Sequence, residues 1–157
     1  MNPAIIEDLD PLVGAMPGTR LARGVCRALS ALGHACLTEV PLANGRRADV
    51  MALASNGQIT IVEVKSSVPD FQADRKWAEY RGFCDQLLFA VPDGFPEGIL
   101  PGDCGLIRAD AFGAAVLREG MIVPLAPARR KALTLRFAQL AAARLTRLVD
   151  PGGFAGI

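Results

Sequence analysis

Two Asn-Gly pairs, Asn44-Gly45 and Asn56-Gly57, divide the stretch from Ala35 to Ser67 into three short runs rich in β-branched and aliphatic residues. Asn and Gly accept the positive φ of a two-residue hairpin turn, so "ACLTEVPL", "GRRADVMALA" and "QITIVEVKSS" read as an antiparallel meander of three strands. A meander fixes neighbours, because strands alternate their side chains between faces and the turn sets the register. On the third run Ile59, Ile61, Glu63 and Lys65 share one face, while Thr60, Val62, Val64 and Ser66 share the other. On the second run Asp49 goes with Met51 and Leu53. Asp49 therefore comes opposite or diagonal to Glu63, and three charged groups converge on a mostly apolar strand pair.

Charges in such a place are costly unless they are paired or bind an ion. Two carboxylates with a few waters and a backbone carbonyl, that of Val64 lying between Glu63 and Lys65, suit magnesium. The chemistry that follows from such an ion is phosphodiester hydrolysis, with a polarised phosphoryl oxygen and an activated water. The ammonium of Lys65 positions that water or stabilises charge growing on the phosphate. An ion pair of Lys65 with Asp49 or Glu63 at a solvated sheet edge accounts for the same spacing equally well.

The flanking sequence supplies helices. From Arg20 to Leu32, Leu21, Val25, Ala28, Leu29 and Leu32 recur at helical spacing between Thr19, a cap, and Gly33, a stop. The other side of this helix carries the stripe Arg20, Arg23, Arg27. "PDFQADRKWAEYRGFC" has helical periodicity behind Pro69, which would align Asp70, Asp74, Trp77 and Arg81 on one face. Asp70 is suited to capping that helix, and Trp77 to the core. "DQLLFAVP" is apolar enough for a strand buried on both faces, "CGLIRAD" and "AAVLRE" read as a further hairpin, and Pro127 to Leu148 forms a long amphipathic helix.

With 157 residues, 51% of them hydrophobic, the chain can bury one real core. The expected division is an irregular leader over 1–18, a single α/β domain over 19–150 and a flexible tail over 151–157. The net charge of +1 gives no global sign of a nucleic-acid binder, so any basic surface must be local, as at Arg129, Arg130 and Lys131. Cys26, Cys36, Cys84 and Cys104 lack C-x-x-C spacing and read as reduced structural thiols. His34 reads as a solvated residue past the first helix. The acidic start is unlike a signal peptide and no run approaches the length of a membrane span, so the expected compartment is the cytoplasm.

Asp49 followed by Glu63-Val64-Lys65 is similar to the PD-(D/E)XK nuclease signature, with Ala48-Asp49 in place of Pro-Asp. "GRRADVMAL", "IVEVKSSVPDFQADRKWAEYR" and "CDQLLFAVP" together resemble the MmcB family of bacterial DNA-repair nucleases, over roughly Thr19 to Leu148. That resemblance implies an α/β fold with a restriction-endonuclease-like core, a mixed central β-sheet flanked by helices. It also implies Mg2+, with Mn2+ as a substitute, and DNA as substrate. Residue by residue, it makes Asp49, Glu63 and the Val64 carbonyl metal ligands and Lys65 the catalytic lysine. Many members of the superfamily add an acid from the first helix. Arg20 to Ala35 contains none, which leaves Glu39 as the candidate stand-in. Arg20, Arg23, Arg27, Arg47, Ser66, Lys76, Tyr80 and Arg81 are the expected DNA contacts, with Trp77 able to stack on a base. The partners implied are DNA, repair proteins and a second copy of the chain, with no membrane. The missing acid keeps a rival open, a catalytically inactive nuclease-fold module that binds DNA or protein.

Overall fold

The three runs between the Asn-Gly turns form β1 (Ala35–Pro41), β2 (Arg47–Leu53) and β3 (Ile59–Val64), antiparallel in chain order. Gly45 and Gly57 sit at φ of 82° and 86°, the left-handed region that their turns require. The structure, a computed structural model, describes residues 10–12 and 14–153. Most of the expected leader and the end of the expected tail lie outside that range.

β3 continues into a parallel pair with β4 (Gln86–Val91), and β4 pairs in parallel with β5 (Gly105–Ala109). β5 turns back on β6 (Ala114–Arg118), giving a six-stranded mixed sheet in the order β1-β2-β3-β4-β5-β6. Every residue of β3 and β4 is buried, as strands covered on both faces require. On one face Leu21, Val25 and Leu29 of α1 (Pro17–Ala31) pack on Val50, Val62, Val64, Leu88 and Ile107. On the other, Met51, Ile61 and Phe89 lie beneath a 3₁₀ helix (Trp77–Phe83) and beneath Leu133 and Phe137 of α3 (Pro127–Val149). The result is an α/β fold with a mixed sheet flanked by helices, consistent with a restriction-endonuclease-like core.

α1 begins at Pro17 rather than after Thr19, because the ring presets helical φ at a position whose N–H needs no partner. Gly24 on this helix meets the β5–β6 loop: a Cβ there would lie 1.9 Å from the Asp110 carbonyl oxygen and 2.6 Å from that of Gly113. Both are backbone atoms that no rotamer change can move. Gly24→Ala is therefore expected to cost about 1–3 kcal/mol or more through forced separation of α1 from the sheet. A thermal melt checks this, and an unchanged midpoint would contradict the packing described.

The segment expected as one long helix after Pro69 is broken. α2 spans only Val68–Ala73, capped by the Ser67 hydroxyl, which accepts from the Asp70 N–H at 3.2 Å. Asp74 then leaves helical conformation, with ψ of 101°. Its Oδ1 accepts from the Lys76 N–H at 2.9 Å and its Oδ2 takes the Lys65 ammonium at 2.7 Å. A short carboxylate with two such bonds competes with the helix ladder, so Asp70, Asp74, Trp77 and Arg81 do not form one face. Trp77 meets Phe89 edge-on at 5.5 Å and packs against the core as expected.

α3 is tied down by its basic residues. Asp85, 3% exposed, accepts from the N–H groups of Ile59 at 2.7 Å and Leu125 at 2.8 Å and receives the Arg130 guanidinium on both oxygens. Arg129 donates to the Gly82 carbonyl and lies over Phe83, 4.6 Å from the ring centroid. Arg130 and Arg129 thus serve the fold rather than an open basic patch. Arg144 donates to the carbonyls of Thr38 and Glu39, and Arg136 to that of Pro41, which satisfies outward groups of the edge strand β1. All four cysteines are free. His34, expected to be solvated, is half-buried, with Nδ1 closed off from water and without a hydrogen-bond partner, while its backbone N–H donates to the Leu29 carbonyl at 3.0 Å.

Candidate active site

The Val50↔Val62 pair of the β2–β3 ladder puts Asp49 and Glu63 one step further on, face to face. Their side chains stitch the two strands together. The Val64 N–H donates to Asp49 Oδ2 at 2.8 Å, and the Asp49 N–H donates to Glu63 Oε1 at 3.2 Å. Glu63 is 3% exposed, whereas Asp49 is half-buried and lines a cleft of about 950 Å³. Thr19, Ala22 and Cys26 of α1 form one wall of this cleft, with Val64, Ser66 and Asp70 on the other side.

Burial pushes Glu63 up to about 9, and the neighbouring Asp49 charge pushes the same way. Burial likewise raises Asp49 against the opposing pull of the Val64 N–H. The two carboxyl groups therefore have too little counter-charge around them for both to ionise easily. Lys65, 6% exposed, points its ammonium to Asp74 rather than to either of them. Burial raises Asp74, but its hydrogen bonds from Lys65 and the Lys76 N–H outweigh that and hold it below the usual carboxylate range. The Tyr80 hydroxyl, pushed up to about 12 by burial and by Glu63 and Asp49, donates to the Arg47 carbonyl at 2.9 Å under this cluster.

Glu39 stands at the cleft rim with φ of 50°, its exposed carboxylate 3.7 Å from Arg47. It does not join Asp49 and Glu63, and among the described residues no three His, Cys, Asp or Glu side chains gather around one point. The donor set is the buried Glu63 and the half-buried Asp49, two hard oxygen donors beside Val64 that lack the counter-charge to ionise together. That set fits a magnesium ion, which binds through one or two carboxylates and keeps several waters.

The expected DNA contacts fall in different places. Arg47 is exposed at the rim, and Ser66 lines the cleft with its N–H donating to Asp70 at 3.1 Å. Arg20 lines an adjoining cleft, Arg27 is exposed and Lys76 is exposed. Arg23 is spent on Asp10, at 2.5 and 2.8 Å, and on the Ala111 carbonyl, so it presents no open guanidinium. Tyr80 is buried, and Arg81 pairs with Asp103 and lies over Trp77. Asp74, which holds the lysine, escaped sequence reasoning because the expected helix turned it toward other neighbours.

The α/β sheet thus sets a half-buried and a buried carboxyl, with a lysine beside them, where β2 begins and β3 ends, in an architecture consistent with a restriction-endonuclease-like core. The chain belongs to the family described as DNA repair protein MmcB-like, whose profile matches residues 15–152. It is also similar to a solved structure described as SPO1766 protein of unknown function from Silicibacter pomeroyi. The two share 48% identity over 90% of this chain and 97% of that one, with a TM-score of 0.87. No curated protein matches the chain.

Proposed function

We propose that this DNA-repair protein is a magnesium-dependent deoxyribonuclease of the PD-(D/E)XK superfamily, hydrolysing DNA phosphodiester bonds. The observation that carries the reading is the half-buried Asp49, which lines an open cleft, backed directly by the buried carboxyl of Glu63 with too little counter-charge for both to ionise. These two and the Val64 carbonyl would hold the ion, with Mn2+ as a substitute. When bound, the ion supplies Lewis acidity and a water of lowered pKa. Asp74 holds the Lys65 ammonium in place for a phosphate oxygen or the attacking water, and Arg47 at the rim suits a flanking phosphate. DNA is the proposed partner, alongside repair proteins and a second copy of the chain. Among the described residues no helix is long and apolar enough to cross a membrane.

Asp49→Asn and Glu63→Gln are each expected to lower magnesium-dependent cleavage of single-stranded, duplex, nicked or branched DNA by about 100-fold or more. Undiminished cutting by either purified variant would sink the assignment. A second reading, a DNA-binding module that does not cut, draws on the absence of a third acid among the described residues and on the pairing of Lys65 with Asp74. Chelation separates the two readings, because a pure binder keeps its full function without the ion.

A further inference from the structure

Beside the carboxylate cleft lies a second one of about 1260 Å³, and Pro17 and Ser66 line both. It opens at the carboxyl ends of the parallel strands β4 and β5, where Pro92 and Ala109 line it. Its wall includes Phe112 at the tip of the β5–β6 hairpin, 66% exposed, with Arg20 across from the same loop.

Phe112 is not loosely displayed. Asp110 Oδ1 accepts from the Phe112 N–H at 2.7 Å and from the Gly113 N–H at 3.0 Å. Arg23 donates to the Ala111 carbonyl at 2.7 Å, and Arg27 reaches the Phe112 carbonyl at 3.4 Å. Gly24 lets the loop backbone seat directly on α1. The Arg23 guanidinium also lies over the Phe112 ring, 5.6 Å from its centroid. An exposed aromatic ring, backed by a cation and anchored at four points, is a pre-organised platform that has left most of its own surface to water. Such a platform suits the flat face of an unpaired base, and base stacking on aromatics tolerates any sequence.

We propose that Phe112 stacks on an unpaired nucleobase next to the hydrolytic site, so that the preferred substrate carries a single-stranded segment. This inference rests on the reading of the protein as a DNA nuclease. It adds the substrate class: the strand passes from the Ser66 junction into the second cleft, with its phosphates beside Arg20 and a base on Phe112.

The test is fluorescence anisotropy with calcium in place of magnesium, as a non-catalytic ion, with a labelled single-stranded 20-mer and the duplex of the same sequence. Wild type, Phe112→Ala and Phe112→Trp are compared, with circular dichroism to establish that each is folded. Phe112→Ala is expected to weaken single-strand binding about 10-fold, to leave duplex binding little changed, and to be rescued by Phe112→Trp. Single-strand affinity in Phe112→Ala equal to wild type overturns the proposal. If that same variant cuts duplex DNA with magnesium at the wild-type rate, the nuclease reading stands while the stacking site falls. Wild type that binds neither form overturns both.

Discussion

Glu63→Gln is expected to melt roughly 5–10 °C above the wild type at pH 8 in the presence of a chelator, while losing every stabilising effect of magnesium. Glu63 sits in the folded chain with a pKa of about 9 against an ordinary 4.5, because burial and the Asp49 charge disfavour its anion. A group raised in this way stabilises the fold fully below the unfolded value, and that contribution drains away as pH climbs from about 4.5 through about 9. Gln keeps the shape and can still accept from the Asp49 N–H while carrying no charge. The difference between variant and wild type should be small near pH 4 and widest above pH 8, on the order of a few kcal/mol. Melting curves across pH 4 to 9 check this. A gap that fails to open with pH would mean that the carboxylate pair is not short of counter-charge.

Asp85→Ala is expected to be the most damaging single substitution remote from the cleft, at about 3–5 kcal/mol. It strips partners from the Ile59 and Leu125 N–H groups and from the Arg130 guanidinium together, and so loosens α3 from the start of β3. Burial raises this carboxyl, but the Arg130 and backbone N–H bonds outweigh it and hold its pKa below the ordinary 3.8. A depressed carboxyl contributes stability that is present above its unfolded pKa and lost as pH falls below it. Wild type should therefore lose stability steeply below about pH 4, and Asp85→Ala should show a shallower acid limb from a lower plateau. Urea titrations at pH 7 and pH 3 measure both. Equal wild-type and variant midpoints at pH 7 would remove Asp85 from its structural role.

The meander and the facing of Asp49 and Glu63 were legible because Asn-Gly turns and strand alternation are local rules and the two residues lie on adjacent hairpin strands, whereas Lys65, just past β3, turns to Asp74 instead. The resemblance of the surrounding text to MmcB-like proteins added the family, which the match over residues 15–152 bears out. What escaped was long-range or competitive. Asp85 finds Arg130 45 residues away, a pairing that no periodicity announces. Asp74 sits in a helical pattern, yet its bonds to Lys65 and the Lys76 N–H win over the helix. The stripe of Arg20, Arg23 and Arg27 looked uniform at helical spacing, but Asp10 and the Ala111 carbonyl take Arg23 out of it. Glu39 falls on β1 as expected, but strand alternation does not announce its left-handed φ of 50°, its carboxylate beside Arg47, or the bond from Arg144 of α3 to its carbonyl.

Calorimetric titration of magnesium into wild type, Asp49→Asn and Glu63→Gln at pH 7.5, repeated in two buffers of different ionisation enthalpy, tests the central claim most directly. The account predicts that wild type binds the ion with release of about one proton, because Glu63 must give up its own to become a ligand. It predicts that neither variant binds. Wild type that takes up no magnesium, or binding that survives both substitutions, would contradict a metal site at Asp49 and Glu63.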